Sequence, residues 1–302
     1  MRFAVESWSP EYGAPFEAQG EHEDERGRVD VSVEMPPDKW QALTPVAAPA
    51  ASVLFVDGVQ QIDARIWVTD GDMSRMGLCV SLAAGRVRCD GQARFESVAL
   101  RRVAFGPAGL GAIVCDGLAY DGAAIADANA LESTVRSRRE DLEVEAAVDA
   151  GAADLIVLDG HVRQRETVAG AAGFLKTHQA QYLEPEQAAV VGRLSAGQRS
   201  PVFLLQTAWS RYTWYLKLPG GEGHPWAGVV RCEASDSLKA TEAIEFAEYV
   251  SATLPRFASR SHKEPRAPQN LYPIAGLERE LRRRLGDRLL LLRALQKASR
   301  NA

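Results

Sequence analysis

Two aspartates stand out by what precedes them. Residues 53–58 read VLFVDG and residues 155–160 read LIVLDG, so an unbroken apolar run twice ends in Asp-Gly, at Asp57 and Asp159. An Asp-Gly joining two alternating strands would read as a hairpin turn. Neither run alternates, so each reads as a strand buried on both faces, with its aspartate where core meets solvent. If the two strands are neighbours, the aspartates converge. The helical stretch before the second run offers Glu140 and Glu145 as a third carboxylate. Three carboxylates together repel one another, and a hard divalent cation such as Mg²⁺ or Mn²⁺ resolves that conflict with the oxygen ligands it prefers. Two such ions about 3.5–4 Å apart clamp the attacking and leaving oxygens of a phosphodiester. Glu145 flanks the stripe of Leu131, Val135, Leu142 and Ala146, whereas Glu140 lies nearly opposite it. That favours Glu145 and leaves Glu140 open.

The elements that must position these residues read as a mixed α/β chain. Residues 1–50 form an N-terminal arm rich in Pro, Glu and Ala, with one short strand at VDVSVEM. Residues 51–302 form the main domain. It opens with an antiparallel meander: a long strand or bent hairpin arm from Val53, two short pieces around AAGR, and ARFESVALRRVAFG. Residues 127–150 lack Gly and Pro and predict an amphipathic helix ending near Gly151. The second Asp-Gly strand follows, then a short strand or turn with helical pieces around GAAGFLKT and PEQAAVVGRL. Strands at SPVFLLQTA, YTWYLKLP and AGVVRCEA come next, then a helix from Ser235. One C-terminal helix carries Leu277, Leu281, Leu285, Leu289, Leu292 and Leu295 as its buried stripe. Together these predict a mixed sheet flanked by helices, with insertions and a C-terminal helix.

Composition narrows the classes. The 302 residues are 46% hydrophobic and 25% charged, with no apolar run long enough to cross a membrane. No signal-peptide core opens the chain, and the four cysteines form neither a CxxC nor a His-paired cluster, so a cytoplasmic address is expected. The net charge of −5 is uneven. From Arg256 onward twelve Lys/Arg face four Asp/Glu, a local +8 that leaves −13 elsewhere. A basic tail on an acidic body suits a polyanion or an acidic partner. GAAGFLKT fails as a phosphate loop because Leu175 stands where a glycine must precede Lys176. Nucleophile-elbow and HExxH motifs are absent, and five scattered histidines mark no site.

The run of segments resembles the NurA family of nucleases, which work with HerA-type hexameric DNA translocases. VLFVDGVQ is similar to the family's first strand with its metal-binding Asp, and the helix before LIVLDGHV to the segment supplying the glutamate. LIVLDGHV is similar to the second Asp-Gly strand, and GFLKTHQAQYL to the segment that brings a lysine, here Lys176, to the site. YTWYLKLP with VVRCEAS resembles the paired late strands, which bring in Arg231 and Glu233. These segments span roughly residues 50–300. The resemblance implies an RNase H-like core, Mn²⁺- or Mg²⁺-dependent DNA cleavage in end processing or repair, and a homodimer stacked on a HerA-like translocase. The metal ligands it implies are Asp57, Asp159 and one of Glu140 and Glu145. Lys176 would offset charge at the reacting phosphate, and Arg231 would hold a neighbouring one. The chain departs from the family before its last helix, where PQNLYPIAGLERE offers Gln269, Asn270 and Glu278 instead of a His or Asp. An amide there would weaken metal binding or contact DNA. The competing expectation is therefore a dimeric translocase adaptor with weak or lost catalysis.

Overall fold

A computed structural model describes residues 1–5, 27–148, 153–163, 168, 170–177, 181–221 and 223–300. The architecture is mixed α/β: a large mixed sheet flanked by helices. In chain order the strands are β1 (Arg2–Val5), β2 (Arg28–Asp30), β3 (Val53–Asp70), β4 (Met73–Cys89), β5 (Ala93–Gly106), β6 (Ile113–Cys115) and β7 (Leu118–Ala124). Helix α1 (Leu131–Val148) leads into β8 (Leu155–Asp159) and β9 (Ala171–Leu175), then α2 (Pro185–Gly192). The rest is β10 (Phe203–Gln206), β11 (Ser210–Lys217), β12 (Val229–Ser235), α3 (Ala240–Thr253), α4 (Tyr272–Leu285) and α5 (Arg288–Ser299).

The sheet runs β2-β10-β11-β12-β9-β8-β3-β4-β5-β7-β6, with β1 added to the far part of β3. At its centre β3, β8 and β9 are parallel, and antiparallel partners extend it on both sides. Where hairpins do form, Asp-Gly makes the turns: Asp70-Gly71 joins β3 to β4 and Asp90-Gly91 joins β4 to β5. Both glycines have positive φ, 59° and 96°, which a side chain would resist. Asp57-Gly58 and Asp159-Gly160 close no hairpin.

Both faces of the central strands are covered, which explains their unbroken apolar runs. Leu54, Val56, Ile156 and Leu158 pack under Ala146 and Ala147 of α1. Val53, Phe55, Leu155 and Val157 point the other way, toward Val250 of α3 and Ile274 at the start of α4. Helix α4 lays Leu277, Leu281 and Leu285 on Val59, Ala83 and Val87. Helix α5 closes the far end against Ala64, Ile66 and Val68.

Several expectations change. The strand from Val53 is a single strand running to Asp70, so Asp57 lies within β3 rather than at its end. What ends there is its parallel neighbour, since β8 pairs only with Val53–Val56. The two pieces around AAGR are one strand, β4, because each long neighbour satisfies the backbone of the next. The expected strand at VDVSVEM shrinks to Arg28–Asp30 beside β10, and most of the arm, residues 6–26, falls outside the described residues. The C-terminal helix is two helices. Gly286 (φ 96°) ends α4, and Asp287 caps α5 by accepting from the Leu289 and Leu290 amides at 2.9 and 3.0 Å. That restart turns Leu289 out of the stripe, to 59% exposure. No helix among the described residues is long and apolar enough to cross a membrane.

Candidate acidic site

The parallel register of β3 and β8 pairs Val56 with Leu158, which sets Asp57 level with Asp159 on adjacent strands. Asp57 is buried, and its Oδ1 accepts from the Gly58 amide at 2.7 Å. At the end of β9, Lys176 donates its ammonium to Asp159 Oδ2 at 2.6 Å and to Asn270 Oδ1 at 2.9 Å. Asn270 is fully buried just before α4 and joins that helix to the site. The lysine is thus held between a strand carboxylate and an amide nearly a hundred residues away in sequence.

The third carboxylate is Glu143. It is buried on α1, and a methyl group at Gly58 would collide with it, only 2.8 Å from its Cγ. The glycine after Asp57 therefore matters as a gap through which the glutamate approaches the strand. Arg139, one turn earlier, sits 3.3 Å from Glu143 Oε1 and balances part of its charge. One of the two expected third partners stands elsewhere. Glu145 points to solvent with its side chain 61% exposed, 3.8 Å from Arg101. Glu140 lies at the margin, 3.9 Å from the same Arg139.

The electrostatics follow from this crowding. Asp57 is pushed well above the usual carboxylate range, first by burial and then by the charges of Asp159 and Glu143, with Lys176 opposing. Glu278 of α4 adds to the repulsion from the other side. Its own charge is engaged: burial opposes its ionisation, but Arg266 and Arg282 more than offset that, and its pKa is lowered. Among the described residues no three His, Cys, Asp or Glu side chains already stand in ligating arrangement. The donors are nevertheless of one kind, carboxylate oxygens plus one amide carbonyl, which is the chemistry of a Mg²⁺ or Mn²⁺ site.

Arg231 is placed differently from its expected phosphate-holding role. It is 4% exposed, 3.4 Å from Glu233 Oε1, and its guanidinium lies 5.0 Å over the Tyr182 ring. Glu233 anchors a second polar cluster beside the first. It accepts from Arg211 Nε at 2.9 Å and is 3.0 Å from His161 Nδ1. Gln269 is half-buried next to Asn270. The exposed arginines of α4 are not bare cations either, since Arg283 and Arg284 share Glu280 and Arg282 leans on Glu278.

Glu143, Arg139 and His161 carried no motif. The one hint for Glu143 was Ala147, four residues on, a small residue that widens the buried stripe toward that flank. No family model and no curated protein matches the chain.

Proposed function

We propose that this chain is a divalent-metal-dependent DNA nuclease of the NurA kind, with an RNase H-like core. The observation that carries the reading is the meeting of Asp57, Asp159 and Glu143, from β3, β8 and α1, beside Lys176. A buried carboxylate held among like charges is costly, and a fold that keeps one needs a reason. In this reading Asp57, Asp159 and Glu143 hold the cation, with the Asn270 carbonyl oxygen alongside. Bound Mn²⁺ or Mg²⁺ would supply Lewis acidity toward a phosphodiester and a water activated at neutral pH. Lys176 turns its ammonium from Asp159 toward the phosphate oxygens and offsets their charge. Arg139 pairs with Glu143 and holds it at the Gly58 gap. The expected setting is the cytoplasm, in DNA end processing or repair, as a homodimer on a HerA-like hexameric translocase.

The deciding experiment is Mn²⁺-dependent cleavage of linear DNA by Asp57→Ala, Asp159→Ala and Glu143→Gln. Each should lose at least about a hundredfold, on the scale of removing a group that stabilises the transition state. Cleavage retained by any of the three removes that residue from the mechanism, and retained by all three it ends the reading.

One observation favours the second reading, a dimeric adaptor without catalysis. Lys176 and Arg139 already sit on Asp159 and Glu143 and offset their charge without a metal ion. Thermal melting separates the two. A nuclease site raises the melting midpoint on adding Mn²⁺, because a ligand that binds only the folded form stabilises it. An unchanged midpoint assigns the chain to the adaptor.

A further inference from the structure

A cavity of about 460 Å³ opens between the start of α4 and the turn end of β4 and β5, lined among others by Val87, Phe95, Arg256, Phe257, Tyr272 and Gly276. Its volume is that of a small-ligand site. Phe95 reaches it through a bulge. Val87 pairs with Phe95 but Arg86 pairs with Ser97, so Glu96 is an extra residue in β5. Val98 and Leu100 pack toward α4, and strict alternation from them would send Phe95 to the opposite face. The bulge turns it back. It is fastened from behind, where Arg86 and Arg88 both pair with Glu96 and Arg86 also donates to the Ala146 carbonyl of α1. The result is an aromatic ring that is fixed in direction yet 53% exposed.

The cavity sits close to the acidic site and beside basic residues. On β4, Val87 pairs with Phe55 and Gly85 with Asp57, so the cavity wall is two strand residues, roughly 7 Å, from the level of Asp57. Phe257 meets Phe55 edge-on with ring centroids 4.8 Å apart. Arg256 is held over the Phe257 ring at 5.3 Å and donates to the Ala50 carbonyl at 2.6 Å. Along α4, Arg279 and Arg283 follow Gly276 on the same flank by helical spacing. Their side chains are 69% and 71% exposed, and each leans on a glutamate, Arg279 on Glu264 at 3.9 Å and Arg283 on Glu280 at 2.8 Å, from which a phosphate would draw it.

We infer that this cavity takes an unpaired nucleobase, stacked on Phe95, from the strand whose phosphate lies at the Asp57 site. The substrate class rests on the nuclease reading above. An exposed aromatic ring next to flanking guanidiniums is the arrangement that binds single strands: the ring stacks a base of any sequence, and the cations take the phosphates. An apolar side chain from a protein partner would fill the cavity without using Arg279 or Arg283.

The test uses the full chain without divalent metal and a short single-stranded oligonucleotide carrying a fluorescent adenine analogue, whose emission falls on stacking. The wild type should bind and quench it. Phe95→Ala should lose the quench and bind about tenfold more weakly, within the range of one base–aromatic stack. Phe95→Trp should restore both, and an abasic oligonucleotide should bind wild type and Phe95→Ala alike. Equal quenching by wild type and Phe95→Ala overturns the inference. So does a wild type that binds no oligonucleotide, which leaves the cavity to a protein side chain. Mn²⁺-dependent cleavage, measured in parallel, keeps the two readings apart. Quenching without cleavage sinks the nuclease and keeps the base site, while cleavage without quenching sinks only the base site.

Discussion

Asp57 and Glu233 are carboxylates sunk into the same sheet, on β3 and β12 with two strands between them, and their surroundings drive their protons in opposite directions. Burial raises both. At Glu233 it is overcome by His161, Arg231 and Arg211, which bring the group from 4.5 down to about 2. At Asp57 it is reinforced by Asp159 and Glu143, and Lys176 alone among the main influences opposes it. Burial therefore does not decide the sign; the ratio of counter-charges to carboxylates does. A third case on the same strand supports this. Asp63, fully buried, receives only neutral donors, from Ser81 at 2.6 Å, Gln61 at 2.8 Å and Tyr120 at 2.9 Å. Burial raises its pKa, yet its hydrogen bonds are complete. Glu233 and Asp63 are finished pieces of structure. Asp57 is left short of positive charge, and a divalent cation is the species that would correct it.

The largest effect on stability should come from breaking the finished cluster. Glu233→Gln leaves Arg211 and Arg231 buried without their counter-charge, which should cost about 3–5 kcal/mol in urea unfolding. The pH dependence carries the sign. A carboxylate lowered on folding adds stability that is fully present above 4.5 and is lost as pH falls toward about 2. The wild type should therefore lose stability across that window more steeply than the glutamine variant. Equal acid slopes would mean that Glu233 is no more ionised in the folded chain than in the unfolded one, and the contrast with Asp57 would fail.

A smaller shift of opposite sign is expected at Asp57. Asp57→Asn keeps an oxygen for the Gly58 amide but removes the charge that Asp159 and Glu143 repel. It should stabilise the metal-free chain, by an amount on the order of 1–2 kcal/mol, while abolishing the Mn²⁺-induced rise in melting midpoint. A variant that melts lower than wild type in the absence of metal would put Asp57 with Glu233 as a structural anchor.

What the sequence disclosed tracks how local each cause is. The two apolar runs ending in Asp-Gly were readable because burial on both faces writes itself into consecutive residues. That the two strands be neighbours was the condition for their aspartates to converge, and the parallel register of β3 and β8 meets it. Lys176 came from the resemblance of its segment to the family's, and its bonds to Asp159 and Asn270 tie it to the same site. Glu143 was out of reach, since Glu143 and Glu145 flank the apolar stripe on opposite sides. Choosing between them needs the rotation of α1 about its axis, which packing on β3 and β4 sets. The bulge at Glu96 was equally hidden, because an extra residue shows only against a partner strand. Arg231 came with the resemblance of its strand, and its burial shows only once Tyr182, from another loop, is stacked on it and Glu233, two residues on, draws it inward.

The smallest effect, close to none, is expected from Glu145→Gln, and it sharpens the contrast most for its size. Glu145 and its neighbour Arg101 are both more than half exposed and 3.8 Å apart, so their attraction is screened by water and contributes about 0–1 kcal/mol. Its removal should leave both the melting midpoint and the Mn²⁺ response as they are. Glu143→Gln should erase that response, because it changes the group that enters through the Gly58 gap. The two positions are separated by 200° around the helix, a little more than half a turn. The opposite result, with Glu145→Gln silencing the response and Glu143→Gln sparing it, would require α1 to turn its other flank to β3 when metal binds. Ala146 and Ala147, now buried on Leu54 and Val56, would have to leave the core for that to happen.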